Sequence, residues 1–352
     1  MNPQSPRISV LVPAFNVENN LPSLIQAMER QSLTDWELII ADDCSSDNTL
    51  SLAREYASSD PRIRVIARPT NSGTPLLPRL DACAAARADS VVPLDADDTI
   101  SDNYLERLLQ RVEETDADII LPMMINCRNR DSGGNHNSTD GKPIFREDML
   151  DASRIYKGRD LVIHTLYEWD FGCNGALYRR RLYYEALTDL IRIPVPEDIP
   201  APRHTASSTP YIDEVGTRAL LLKASKVAFA PQARYFYMPN PTSVVETPRS
   251  LYMGIEADIW LRELIKSNFP PASDTSRRLD LHCGVHLAGL LGRFHRERNA
   301  LSPQRREELR RLLRDAWRRL PRSSYRALSP AYALTLALGP RIASMIFGLA
   351  GK

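Results

Sequence analysis

The sequence of 352 residues is poor in cysteine: Cys44, Cys83, Cys127, Cys173 and Cys283 are its only five, widely scattered, with no CxxC pair among them. A disulfide framework and a structural zinc site are therefore not expected, and a reducing compartment is. No uninterrupted apolar run reaches the roughly 18 residues of a membrane-spanning helix. Neither sign of charge dominates, since 45 basic residues face 44 acidic ones for a net charge of +1. Such a chain has no global field for gathering nucleic acid, and no nucleic-acid partner is expected. The stretch from Met1 to Arg7 lacks the charged start, apolar stretch and cleavage site of a signal peptide, so cytoplasmic residence is the expectation. The glycosylation-type triplet Asn137-Ser138-Thr139 is then a chance match.

What is present is an ordinary globular composition, 43% hydrophobic and 25% charged, with length enough for about two domains. The apolar pattern alternates between strand and helix periods. Strands are expected at Ile8–Val12, Trp36–Ala41, Ile63–Ala67, Ser90–Leu94 and Asp118–Leu121. Helices are expected between them, near Leu21–Met28, Thr49–Ala57, Leu76–Arg87 and Asn103–Glu114. Strands separated by helices of this length pair in parallel through right-handed crossovers, which gives an α/β fold with a mostly parallel open sheet and flanking helices.

Ligands of such sheets bind beyond the carboxyl ends of the strands, and three polar clusters collect there. Pro13-Ala14-Phe15-Asn16 follows the first strand, Asp42-Asp43-Cys44-Ser45-Ser46-Asp47 the second, and Asp95-Ala96-Asp97-Asp98 the fourth. Taken singly, each has a plain structural use, as a helix cap, a turn or a solvated loop. Asp95 and Asp97, two residues apart, can put one carboxylate on a ribose or metal-bound water. The other is then free for a hard divalent cation, Mg2+ or Mn2+, that holds a diphosphate. The glycine-rich loop that a sugar-nucleotide pyrophosphorylase would carry after its first strand is missing.

The run from Ile8 to Asp98 closely resembles the family 2 inverting glycosyltransferases of the GT-A (Rossmann-like) fold. The resemblance is carried by Val12 to Asn16, by Glu37 to Thr49, by Asn71-Ser72-Gly73 with Arg79, and by Leu94 to Asp98. It is strong over about residues 7 to 125 and extends more weakly to about 245. It implies a nucleotide-sugar donor, with Pro13, Phe15, Asn16, Asp42, Asp43, Arg79, Asp95 and Asp97 around it and the metal on Asp97 and Asp95. Phe15 has a face for a pyrimidine, and the Asp43 carboxylate can accept from uracil N3–H, a donor that cytosine lacks; a UDP-sugar is therefore expected. The chain departs from the family in having Phe15 for Tyr, Cys44 for Gly and Pro78-Arg79-Leu80 for Ala-Arg-Asn.

Residues Cys127 to Lys142, rich in Asn, Asp, Ser and Gly, read as an exposed loop. The segment Trp169 to Arg180 resembles the family's acceptor-side return to the sheet, which makes Trp169 and Asn174 acceptor-binding candidates. After a proline-dense loop, Pro194 to Pro210, a helix is expected from about Val215, then short strands at Lys226–Ala230 and Ala233–Tyr237. Alignment with the family's general-base block puts the base at Asp213, with Glu214 as substitute and Ile212 in place of the usual Glu. Helix capping alone would also account for both acids. The Gln-x-x-Arg-Trp motif of processive synthases is absent, so transfer of single sugars to a glycan or lipid-linked saccharide is implied. A catalytically silent GT-A protein that binds carbohydrate or serves as a scaffold is the alternative, kept open by Ile212 and Leu80.

The tail falls outside the resemblance, so the chain divides into a catalytic domain at 1–245 and a helical C-terminal region at 246–352. Between Arg293 and Arg326 there are twelve arginines against four acids. Leu309, Leu313, Trp317 and Leu320 fall on one helical face, and Ala331 to Ala350 is mostly apolar but broken by Gly339, Pro340 and Arg341. Two uses fit this pattern: packing on the catalytic domain, or peripheral attachment to an anionic inner membrane face.

Overall fold

The computed structural model describes residues 5–127, 141–143, 150–166, 174–192, 212–238, 249–270, 273–319 and 339–350. The first half folds as the alternation predicts, with one short strand, β5, added: β1 (Ile8–Ala14), α1 (Leu21–Glu29), β2 (Trp36–Asp42), α2 (Thr49–Ser59), β3 (Ile63–Ala67), α3 (Leu76–Ala85), β4 (Ser90–Pro93), β5 (Thr99–Ile100), α4 (Tyr104–Thr115) and β6 (Ile119–Asn126). Then come β7 (Lys142–Pro143), α5 (Gly158–Thr165), β8 (Leu177–Arg179), α6 (Arg180–Arg192), α7 (Ile212–Lys223) and β9 (Val227–Tyr237). The remaining helices are α8 (Arg249–Asn268), α9 (Asp274–Glu297), α10 (Pro303–Arg319) and α11 (Pro340–Ala350).

Among the described residues the strands form one sheet in the order β3-β2-β1-β4-β8-β6-β9-β5, with β7 pairing onto β6. β3, β2, β1 and β4 are mutually parallel. Every residue of β2 and β4 is buried, as expected of strands covered on both faces, where a continuous apolar run replaces alternation. Beyond β4 the pattern changes, because the short strand β8 enters antiparallel between β4 and β6. β6 then pairs in parallel with β9 rather than with β4. The two short strands expected at 226–237 are one strand, interrupted where Pro122 pairs with Ala230 and Met123 already pairs with Arg234. The extra residues on β9 include Pro231, which has no N–H to give to a ladder.

Helix α4 shows how the flanking layer is made. Tyr104, Leu105, Leu108, Leu109 and Val112 recur at three- and four-residue spacing and are buried, while Glu106, Gln110 and Glu113 face solvent. Asp116 ends the helix in the left-handed conformation, at φ 49°. The chain divides into two compact units. One contains the sheet and its helices; the other contains α8 to α11 together with residues 163–166 and 212–215. In the second unit α11 packs along α9, and the Ser344 hydroxyl donates to the Leu291 carbonyl at 3.0 Å. Leu309 and Leu313 of α10 are buried. No described helix is long and apolar enough to cross a membrane.

Candidate functional site

The three clusters meet at one edge because β1, β2 and β4 run side by side in parallel. Ala14 stands opposite Asp42, and Leu11 opposite Pro93. Past β1 the chain turns at Asn16, a non-glycine residue at φ 54°. Its amide accounts for the conformation, since the Asn16 side-chain oxygen accepts from the Ser46 N–H at 2.8 Å and the Asn16 N–H donates to Ser45 Oγ at 3.0 Å. Asn16 thus stitches the loop after β1 to the loop after β2. Asp47 continues the seam by accepting from the N–H groups of Glu18 and Thr49. Phe15, between these ties, is 48% exposed, so it is no core aromatic; Pro13 is half-buried at the end of β1.

In the second cluster the two leading acids, Asp42 and Asp43, are buried. Asp42 accepts from the Ser45 N–H at 3.2 Å through one oxygen, while its Oδ1 accepts no hydrogen bond among the described residues. Asp43 accepts from both the N–H and the hydroxyl of Ser72, at 2.9 and 2.8 Å, through Oδ2. Its Oδ1 lies 2.9 Å from Arg68 Nε as an ion pair. That contact is not aligned as a hydrogen bond, so Oδ1 too is left without a hydrogen-bond donor among the described residues. Buried carboxylate oxygens are rarely left this way unless water, an ion or a ligand completes them.

In the third cluster, Arg79 Nη2 donates to Asp95 Oδ1 at 2.6 Å and Asn174 Nδ2 to Asp95 Oδ2 at 3.2 Å. Asn174 is held in place by its neighbour. Gly175 has φ 75°, and a Cβ there would lie 2.3 Å from the Tyr235 ring and 2.5 Å from the Tyr104 hydroxyl. Asp98 is buried and accepts from the Tyr235 hydroxyl and from the Met238 N–H at 2.9 Å. Burial, reinforced by the charges of Asp97 and Asp95, raises its carboxyl well above the ordinary carboxylate range. Asp97 is half-exposed between them. Oxygen-only donors in a surplus of negative charge fit a hard divalent cation. No three ligand-type side chains converge among the described residues, so water or a diphosphate would complete such a site.

On the other candidates, α7 begins earlier than expected, at Ile212. That puts Asp213 in its first turn, but the Asp213 side chain lies outside the described residues. Glu214 is buried, 4% exposed. Trp169 lies outside the described residues, as does most of the expected loop after Cys127 and the whole of the proline-dense segment. Asp98 and Ser72 lie in motifs that the sequence shows but without a role of their own, and Tyr235 and Arg68 are not singled out by it. Their contacts span up to 137 residues and leave no local spacing to read.

The model of Glycosyl transferase family 2 matches residues 9–187. Among relatives, the glycosyltransferase EpsJ of Bacillus subtilis is 27% identical over 69% of this chain and 64% of its own length. TarS of Staphylococcus aureus, a poly(ribitol-phosphate) beta-N-acetylglucosaminyltransferase, is 31% identical over 66% of this chain. The matched region spans only 35% of TarS. The solved structure of TarS residues 1–349 with UDP-GlcNAc superposes with a TM-score of 0.61 over 97% of this chain and 89% of that one, at 18% identity. The mannosyltransferase PcManGT of Pyrobaculum calidifontis, solved with GDP-Man and Mn2+, gives 0.50 over 99% and 88%, at 15% identity. At such identities the structures speak to the fold, which is the GT-A arrangement expected above.

Proposed function

The chain belongs to glycosyl transferase family 2, and from that premise we propose that it is an inverting glycosyltransferase. It moves one sugar from a UDP-sugar to a hydroxyl of a glycan or lipid-linked saccharide. The observation that carries this reading is the gathering, at one sheet edge, of an exposed aromatic, two buried carboxylates with unfilled oxygens, and the Asp95–Asp98 loop. Phe15 supports the pyrimidine face and Asp43 accepts its ring N–H. Arg79 and Asn174 hold Asp95, with Pro13, Asn16 and Asp42 shaping the loops around the donor. Asp97, with Asp95, would hold a divalent cation, Mg2+ or Mn2+, which supplies charge stabilisation to the leaving diphosphate. The solved neighbours support a nucleotide-sugar donor and a divalent cation: TarS is solved with UDP-GlcNAc, and PcManGT with GDP-Man and Mn2+.

Inversion needs one base, in line behind the acceptor hydroxyl. We assign it to Asp213, at the start of α7, where the helix N-terminus favours a carboxylate; the buried Glu214 is the substitute. As the anomeric carbon develops oxocarbenium character, the base takes the hydroxyl proton, and an α-linked donor gives a β-glycoside. Trp169 and Asn174 belong to the acceptor side. The catalytic domain is assigned to residues 1–245 and a helical C-terminal region to 246–352.

Purified protein is incubated with a panel of nucleotide sugars and scored for nucleoside diphosphate release, with and without glycan acceptors. Release confined to UDP-sugars and stimulated by acceptor supports the reading. Binding without release from any donor supports the silent alternative instead.

The cellular place proposed is the cytoplasm, at the inner face of an anionic membrane. The apolar side of α10 is spent on packing, since Leu309 and Leu313 are buried. Contact with lipid therefore falls to the exposed Arg305, Arg310, Arg311 and Arg318 and to Ile342, Met345 and Ile346 of α11, which are 45%, 51% and 37% exposed. Each arginine near such a surface contributes about 1 kcal/mol. Sedimentation with anionic vesicles, weakening as salt rises, is the expected result. Protein that stays in the supernatant at low salt removes the membrane from this proposal.

A further inference from the structure

Among the described residues, the hydrogen-bond account of Asp43 does not close. Its Oδ2 takes two hydrogens from Ser72. Its Oδ1, in a residue only 4% exposed, takes none, although Arg68 Nε stands 2.9 Å away. Arg68 is itself held from three sides. Its N–H donates to the Asp42 carbonyl at 2.9 Å, its Nη1 pairs with Asp81, and its Nε faces Asp43. Asp81 lies on α3 and Asp43 at the end of β2, so the guanidinium bridges two elements. The outcome is a carboxylate locked in place with one oxygen filled and the other reserved. An ionised carboxylate only accepts, and the filled Oδ2 leaves Oδ1 as the one position for an incoming N–H.

We propose that Arg68 is a positioning residue for base recognition: braced by Asp81 and acting with Ser72, it holds Asp43 so that Oδ1 accepts a single ring N–H, and so sets the preference for uracil over cytosine. This rests on the uridine-donor reading above. Uracil presents N3–H at its pairing edge, whereas cytosine presents a bare N3 lone pair. A lone pair facing a carboxylate oxygen gains no hydrogen bond and meets repulsion. The discrimination is of the strong kind, because the wrong base leaves a buried acceptor unfilled. Arg68 also explains why the acceptor is Oδ1: its positive charge is beside that oxygen, but its hydrogen is not aimed there, so the acceptor position stays available to a ligand.

The full-length protein is titrated with UDP and with CDP by calorimetry, each with and without Mn2+. Wild type is expected to favour UDP by on the order of 100-fold. Arg68→Gln is expected to weaken UDP by about tenfold or more while leaving CDP nearly unchanged, so the ratio contracts. Arg68→Lys should recover part of the ratio. Asp81→Asn, which leaves Arg68 present but unbraced, should contract it less, and this variant carries the test if Arg68→Gln fails to fold. A purely structural Arg68 would lower both affinities together, or the melting temperature alone, and leave the ratio intact; that result overturns the proposal. A wild type that binds UDP and CDP equally overturns the uridine reading as well, which separates the two failures.

Discussion

β2 carries a buried carboxylate near each end, and the two are treated in opposite ways. Toward its start, Glu37 has every position filled: Oε1 accepts from Ser9 Oγ and the Arg87 N–H, both at 2.7 Å. Its Oε2 accepts from Arg87 Nε at 2.8 Å and Arg64 Nη1 at 3.0 Å. At the other end, Asp42 and Asp43 each keep an oxygen that the described residues leave without a donor. Burial raises the carboxyl of Glu37, but the hydrogen bonds from Ser9, Arg87 and Arg64 together outweigh it, and the group sits below its usual range. One acid of the strand thus locks the sheet, while Asp42 at its other end and the adjacent Asp43 each keep an oxygen unfilled. On the reading proposed above, completeness of the hydrogen-bond set, rather than burial, separates the architectural carboxylate from those that meet a ligand.

Neutralising acids one at a time breaks this comparison most directly, and the largest effects are expected at the site. Asp213→Asn keeps size and capping ability but cannot take a proton, so turnover should fall by on the order of 1000-fold with donor binding and melting temperature unchanged. If Glu214→Gln is the inactive variant and Asp213→Asn is active, the base is Glu214. Asp97→Ala should cost on the order of 100-fold in transfer and abolish stimulation by divalent ions. Full activity of wild type in excess chelator would remove the cation from the mechanism.

The parallel half of the sheet was readable because its strands are short apolar runs with helical periods between them, and its strand-end clusters are contiguous in sequence. What the sequence hid is long-range. β8 enters antiparallel beside β4 through the pairing of Ser90 with Arg179, and three residues give no periodicity to detect. The contact of Asn174 with Asp95 and the closing of Tyr235 on Asp98 join segments 79 and 137 residues apart. One signal was visible: a charged Glu37 inside the otherwise apolar Trp36–Ala41 run has to be buried with partners, because a strand covered on both faces gives it no route to water. The partners themselves, Ser9, Arg64 and Arg87, could be named only from the fold.

Glu37→Gln tests the architectural end. It keeps the shape but removes the charge that two arginines and a backbone N–H converge upon, and should cost about 3 kcal/mol of stability. The acid response gives a second readout. Because the folded-state pKa is depressed, the contribution of Glu37 is complete above the unfolded value of about 4.3 and is lost as pH falls through the folded one. Wild type should therefore lose stability more steeply below about pH 4 than Glu37→Gln does. Parallel acid curves for the two would mean that the charge contributes nothing.

The smallest expected effect sharpens the comparison from inside the site. Gly175 lies beside Asn174, which bonds Asp95, yet its own constraint is purely steric. Its φ of 75° disfavours a side chain, and a Cβ would meet the Tyr235 ring at 2.3 Å and the Tyr104 hydroxyl at 2.5 Å. Neither ring has room to retreat: both tyrosines are buried, Tyr104 donates to the Gly175 carbonyl at 2.6 Å, and Tyr235 donates to Asp98. Gly175→Ala should cost about 2 kcal/mol through overpacking and the left-handed backbone. Its activity at a temperature where it stays folded should fall only a few-fold, through the displaced Asn174–Asp95 hydrogen bond. Adding Tyr104→Phe removes the hydroxyl contact but not the Tyr235 one, so stability should return only in part. Thermal melts of the single and double variants decide it: an unshifted midpoint for Gly175→Ala would mean that the two rings do not close on this glycine, and that Asn174 is held over Asp95 by something other than its neighbour.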